Sequence, residues 1–168
     1  GGVQHEAKVP ALGRVLVNGV DDKWTRATVF SSLGEQSIEL LDELAKGSKV
    51  RRTNLAHALN PLGGIIARSR GKAEILSVIE RHLAADFGWE PEERIALLKG
   101  IAADVRRRPF IGVQKSVFGL VAEHPSARMN VEKNFQAART RTTGKQSSAM
   151  RASAIELLAY STYKEDGA

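Results

Sequence analysis

Trp24-Thr25-Arg26-Ala27-Thr28-Val29-Phe30-Ser31-Ser32-Leu33-Gly34 aligns without a gap with Ala149-Met150-Arg151-Ala152-Ser153-Ala154-Ile155-Glu156-Leu157-Leu158-Ala159, near the other end of the chain. Both stretches run Arg-Ala, a small residue, then aliphatic positions and Leu, and each opens a helical pattern. An arginine one turn after a polar cap can lie along a helix pair and reach an acidic or carbonyl partner. The small residue beside it lets a second helix approach closely. Self-similarity of this sort is the mark of repeat architectures, in which neighbouring units bury one another's apolar faces.

Outward from these segments the same helical spacing recurs. Leu12, Val15, Leu16 and Val20 share a face, with Pro10 placed for a first turn and Asp21-Asp22 offering an N-cap to the next helix. Ala27, Phe30 and Leu33 end at Gly34, and Ile38, Leu41, Leu44 and Ala45 end at Gly47-Ser48. Leu55, Leu59, Leu62 and Ile66 are interrupted by Pro61 and Gly63-Gly64, which predicts a kink or break near Asn60. Ile75, Ile79 and Leu83 follow. Pro91-Glu92-Glu93 is a helix start that leads into Ile95, Leu98, Ile101, Ala102 and Val105. Val113, Val117, Leu120 and Val121 stop before His124-Pro125; Val131, Phe135 and Ala138 stop at Thr142-Thr143-Gly144. Met150, Ala154, Leu157 and Leu158 close the series. Period-2 alternation and Asn-Gly hairpin signals are missing. The expectation is an all-α fold over residues 1–168 as a single domain. Its arrangement is read as a HEAT-like α-solenoid of about four to five helix pairs, the alternative being an irregular helical bundle. Trp24, Arg26 and Arg151 are the expected structural repeat positions, with Trp24 and Trp89 sealing helix entries as hydrophobic staples.

With 168 residues and 42% hydrophobic residues, the chain can bury a core without disulfides or metals. The absence of Cys excludes disulfide frameworks, zinc–thiolate clusters, thioether haem attachment and thiol nucleophiles. No apolar run approaches the roughly 18 residues of a membrane span, and no charged-then-apolar leader is present, so a soluble segment is expected.

Candidate chemistry is sparse. His5, His57, His82 and His124 lack the i, i+3 or i, i+4 spacing that converges on a metal from one helix. Thr143-Gly144-Lys145 lacks the first glycine of a phosphate loop, and Gln146 stands where Ser or Thr would bind the metal. The pairs Asp21-Asp22, Asp42-Glu43 and Glu92-Glu93 read as helix starts and solvated faces. Charge is more informative. Twenty-five Lys and Arg against nineteen Asp and Glu leave +6. Between Arg106 and Arg151 lie ten basic and two acidic residues, so that stretch carries +8 and the remainder −2. Arg106, Arg107, Arg108, Lys115, Arg128, Arg139, Arg141 and Lys145 form the candidate basic interaction surface, with Lys133 beside them. Such a surface attracts nucleic acid, an acidic domain or an anionic membrane. Its aromatics, Phe110, Phe118 and Phe135, fit apolar stripes and offer no base-stacking platform, which favours a protein partner over nucleic acid. Trp24, Trp89 and Asp104 are the residues a HEAT-like glycosylase acting on alkylated bases would use, the least favoured reading.

Three stretches carry a resemblance: residues 22–33, Arg94-Ile95-Ala96-Leu97-Leu98-Lys99-Gly100-Ile101-Ala102 followed by Arg106-Arg107-Arg108, and residues 150–158. In order and spacing they resemble the HEAT-like helical region of large exported planctomycete-type proteins, the membrane-bound dehydrogenase and c-type cytochrome multidomain proteins. The resemblance implies a non-catalytic scaffold without a cofactor of its own, cut from a longer exported redox chain and docked to neighbouring domains. It implies that redox chemistry belongs to those neighbours, since Cys-x-x-Cys-His is missing here.

Overall fold

The structure, a computed structural model, describes residues 2–46, 54–108, 115–143 and 146–161, with side chains from residue 7 onward. The expectations that fall on Gly47-Ser48, Phe110, Val113, Gly144 and Lys145 lie outside the described residues, as does His5's side chain. Among the described residues the chain is all-helical, with no strand. The helices are α1 (Gly2–Asn18), α2 (Lys23–Leu33), α3 (Ser37–Lys46), α4 (Ala56–Ser69), α5 (Lys72–His82), α6 (Pro91–Arg107), α7 (Val117–Val121), α8 (Pro125–Thr143) and α9 (Ser148–Leu158).

Local chemistry sets most of the boundaries. The Asp22 carboxylate accepts the Thr25 amide at 2.8 Å and the Thr25 hydroxyl at 2.7 Å, capping α2 as its sequence suggests. Ser116 Oγ accepts the Gly119 amide at 2.9 Å and starts α7. Ser147 Oγ accepts the Met150 amide at 3.3 Å and starts α9. Gly34 ends α2 at φ 60°, where a side chain would be strained.

Two proline expectations are corrected. Pro10 lies inside α1, which already runs from Gly2, rather than in a first turn. Pro61 lies inside α4, which continues from Ala56 to Ser69 without the expected break. The reason is tertiary. Helices α4 and α6 run parallel and pack along their whole lengths, with α5 as the return between them. Gly63 and Gly100 stand where the two backbones meet. A methyl on Gly63 would meet Leu97 O, and one on Gly100 would meet Asn60 O. Each glycine therefore offers a Cα–H to a carbonyl of the opposite helix, a reciprocal pair of weak hydrogen bonds. Gly63-Gly64 thus serves close approach.

Both ends of α4 are fastened by α6. Glu93, 2% exposed, accepts the Leu55 amide at 2.9 Å at the start of α4 and the Glu90 amide at 3.0 Å at its own helix start. At the other end Arg108 Nη1 donates to Ala67 O at 3.0 Å and to Arg70 O. An anion at an N-terminus and a cation at a C-terminus both complement the helix dipole. These attachments offset the hydrogen bond that Pro61 removes.

Around this pair the remaining helices are arranged on α6, which is buried nearly all round through Ile95, Ala96, Leu97, Leu98, Ile101, Ala102 and Val105. Helix α6 packs on α4, α7, α8 and α9; α1 packs on α2 and α3, and α3 on α4; α8 packs on α5, α7 and α9. Two buried asparagines one turn apart on α8 finish α5: Asn130 Nδ2 donates to Glu80 O at 2.9 Å, and Asn134 Nδ2 to Leu83 O at 3.0 Å. One apolar core runs from Val9 to Leu157.

Candidate functional site

The basic stretch does not form one uniform surface. Arg106, Arg107, Lys115, Arg128, Lys133, Arg139 and Arg151 are exposed. Of these, Arg128 pairs with Glu132 at 2.9 Å and Arg107 lies 3.8 Å from Asp104. Arg108 is turned inward onto α4, as above. Arg141 is turned inward too: its Nε donates to Glu92 at 3.0 Å and its Nη1 to Ala137 O at 3.2 Å. Phe118 and Phe135 pack against each other, tilted by 42° with centroids 5.0 Å apart, and are joined to the core.

The aligned arginines differ in environment. Arg26 folds back onto Val20 O, half-buried, across the short turn between α1 and α2. Arg151 is exposed. Trp24 is 71% exposed and carries Lys23 Nζ at 5.2 Å from its ring, so it seals nothing. Its indole stands at the first turn of α2. Trp89 is buried against Phe87. Trp89 and Asp104 lie at opposite ends of α6, about 20 Å apart at 1.5 Å per residue. Asp104 is held by Arg68 at 2.8 Å. The structure does not bring the glycosylase-type residues together.

A groove that the sequence reading did not single out lies between α4, α6 and α9, with a volume of ≈ 210 Å³. Three helical stripes line it: Ala56, His57 and Asn60 from α4; Glu92, Ile95, Ala96 and Lys99 from α6; Ala149, Met150, Ala152, Ser153 and Glu156 from α9. Alanine at four of these positions leaves the space open. Glu92 and Lys99, two turns apart, stand at its ends about 10 Å from one another along α6. At one end Arg141 pairs with Glu92, their side chains 18% and 19% exposed; at the other Lys99 pairs with Glu156 at 2.7 Å, 16% and 61% exposed. The side chains of Asn60 and Ser153 make no hydrogen bond among the described residues. Sequence periodicity shows the 92-95-96-99 stripe but gives no means of telling a groove wall from core.

A second cluster joins α3 to α5. His82 is 1% exposed, with Nε2 3.0 Å from Asp42 Oδ1, and Arg81 Nη1 lies 3.0 Å from the same oxygen. Phe87 stands edge-on to the imidazole at 4.4 Å. Burial pushes the His82 pKa down to about 4; the Asp42 carboxylate opposes that shift and the Arg81 cation adds to it. His82 is therefore a neutral, structural histidine at neutral pH. Among the described residues no group of three or more His, Cys, Asp or Glu is placed to hold a metal ion, and no helix is long and apolar enough to cross a membrane.

No protein-family model matches the chain, and no curated protein or solved structure is detectably similar to it.

Proposed function

We propose that the chain is a non-catalytic helical scaffold that binds an acidic protein partner, or an acidic neighbouring domain of its own longer chain, through its basic C-terminal half. One observation carries this reading. Arg106, Arg107, Lys115, Arg128, Lys133, Arg139 and Arg151 are exposed, whereas the described aromatics of the same stretch, Phe118 and Phe135, pack in or against the core. Among the described residues of this stretch, a polyanion meets charge while Phe118 and Phe135 are engaged with the core. That favours an acidic polypeptide over a single-stranded nucleic acid. The finer architecture, HEAT-like stacking of helix pairs, is part of the same proposal. It draws on the parallel run of α4 and α6, whose starts meet at Leu55 and Glu93 and whose ends meet at Ala67 and Arg108. An origin in an exported redox protein of the planctomycete type rests on the sequence resemblance alone.

The test is fluorescence anisotropy with a labelled Glu-Ala repeat peptide and with a labelled DNA duplex, each titrated at low and moderate salt. The expected result is peptide binding that weakens with salt and is lost on Arg128→Glu with Arg139→Glu. Tighter binding to duplex than to peptide, falling by about 10³ or more between roughly 50 and 200 mM salt, would overturn it in favour of a nucleic-acid-binding domain.

A further inference from the structure

The groove between α4, α6 and α9 holds an ion pair of unequal exposure. Lys99 is 16% exposed, and the carboxylate that pairs with it at 2.7 Å belongs to Glu156, which is 61% exposed. A partly buried cation favours a nearby anion, and Glu156, largely in solvent, is held by a pair of modest strength. At the other end Arg141 uses Nε and Nη1 on Glu92 and Ala137, and its Nη2 makes no hydrogen bond among the described residues. Between these ends the lining is alanine with Ile95, His57 and Met150, and the Asn60 amide and the Ser153 hydroxyl are open to a ligand. The arrangement fits an extended, small-residue segment about 10 Å long with an acidic side chain at one end, to face Lys99.

From this geometry we infer that the groove is the docking slot for an Asp- or Glu-bearing segment of the protein partner. A partner carboxylate displaces Glu156 from Lys99 and its backbone lies along the alanine floor. Glu156 is the occupant of the slot in the free protein and competes with the partner for it. The inference rests on the scaffold reading above but names a different set of residues from its outer cations. The backbone of such a segment has donors and acceptors for Asn60, Ser153 and Arg141 Nη2, which free glutamate lacks.

The competition makes the test specific. Removing the internal competitor with Glu156→Gln is expected to tighten binding of the labelled Glu-Ala peptide about three- to fivefold, the size of a solvent-exposed ion pair. Lys99→Met keeps the aliphatic stem and is expected to weaken binding about tenfold or more, as loss of a charge-assisted hydrogen bond does. The matching Gln-Ala peptide is expected not to respond to either change. Circular dichroism of each variant checks that the helices are retained. Unchanged or weaker peptide binding in Glu156→Gln, with the fold intact, overturns the slot while leaving the scaffold reading standing. Free glutamate binding as tightly as the peptide overturns the segment as occupant. Failure of the wild-type protein to bind the peptide at all refutes the scaffold reading itself.

Discussion

Replacing Gly100 by alanine separates what the sequence suggests from what the packing dictates, because the two disagree in sign. Gly100 is in the middle of α6, and by helix propensity alone alanine there is worth about 1 kcal/mol of added stability. The structure predicts the reverse. The added methyl would overlap the Asn60 carbonyl oxygen and lie 2.9 Å from Gly64 N and 3.0 Å from the Asn60 carbonyl carbon. All of these are backbone atoms of α4, and none can rotate away. Relief requires α4 and α6 to part, which loosens a seam that includes the Gly63–Leu97 contact and the Leu62, Ile66, Leu97 and Ile101 side chains. Overpacking of this sort costs about 1–3 kcal/mol and sometimes more. With three backbone atoms in the way the cost lies at the upper end, about 3 kcal/mol, so after the propensity gain a net loss of about 2 kcal/mol is expected.

Urea unfolding followed by circular dichroism at the helix band reads this directly. With a slope of about 1–3 kcal/mol per molar urea, the midpoint should fall by about 1 M. Two companion glycines isolate the cause. At Gly13 the methyl would meet Glu43 Cγ at 3.2 Å, the stem of a side chain that can move, so Gly13→Ala should be neutral or slightly stabilising. At Gly34 nothing lies within 4 Å but φ is +60°, so Gly34→Ala should lose about 1 kcal/mol through backbone strain alone. A Gly100→Ala protein as stable as wild type, with an unchanged slope, would refute the reciprocal α4–α6 contact.

Three further outcomes follow from the same geometry. Glu93→Gln keeps the shape but leaves an NH2 facing the Leu55 or the Glu90 amide, so it should destabilise by about 1–3 kcal/mol in the same urea assay. Arg108→Met strips the Ala67 and Arg70 carbonyls of their shared donor; a loss of about 1–3 kcal/mol is expected, with amide exchange at the end of α4 accelerated. For His82 the folded pKa of about 4 lies below the ordinary 6.5, so in that interval the unfolded chain binds the proton and the folded chain does not. Stability from this residue is then complete above about pH 6.5, falls as pH drops towards 4 and is lost below it, up to about 3 kcal/mol in all. His82→Leu should flatten that part of the stability–pH curve, and an unchanged slope would show that other groups cause it.

The helices were legible because their apolar stripes are regular and their starts carry recognisable chemistry, Asp22 before α2 and Pro91-Glu92-Glu93 at α6. The prolines were misread for a definite reason. Sequence rules weigh the hydrogen bond that Pro61 removes, but not Glu93 and Arg108, which hold both ends of α4 from 38 and 41 residues away. Gly63-Gly64 and Gly100 look like weak points when each is read within its own helix. They become contacts only when the two helices are set side by side. The groove shares this limitation: Ala56, Ala96, Ala149 and Ala152 are ordinary helix residues until three helices bring them round one space.

The division of the basic residues has the same origin and bears on what the chain can bind. Counted along the sequence, Arg106 to Arg151 is a single block of positive charge. In the fold, α6 ends where Arg108 can reach α4, and α8 ends where Arg141 can reach Glu92 at the start of α6. Those two cations complete helix ends and the groove wall, and their charge meets partners already inside the molecule. The outward charge comes from Arg106, Arg107, Lys115, Arg128, Lys133, Arg139 and Arg151, of which Arg107 lies 3.8 Å from the buried Asp104 and Arg128 pairs with Glu132. In the proposed docking, a partner drawn by long-range attraction would meet these residues first, and salt would screen that step strongly. Seating at Lys99, which is 16% exposed, would depend less on salt. The two proposed stages, attraction by the outer cations and seating in the groove, separate experimentally. Arg128→Glu with Arg139→Glu should act mainly on the association rate, and Lys99→Met mainly on dissociation.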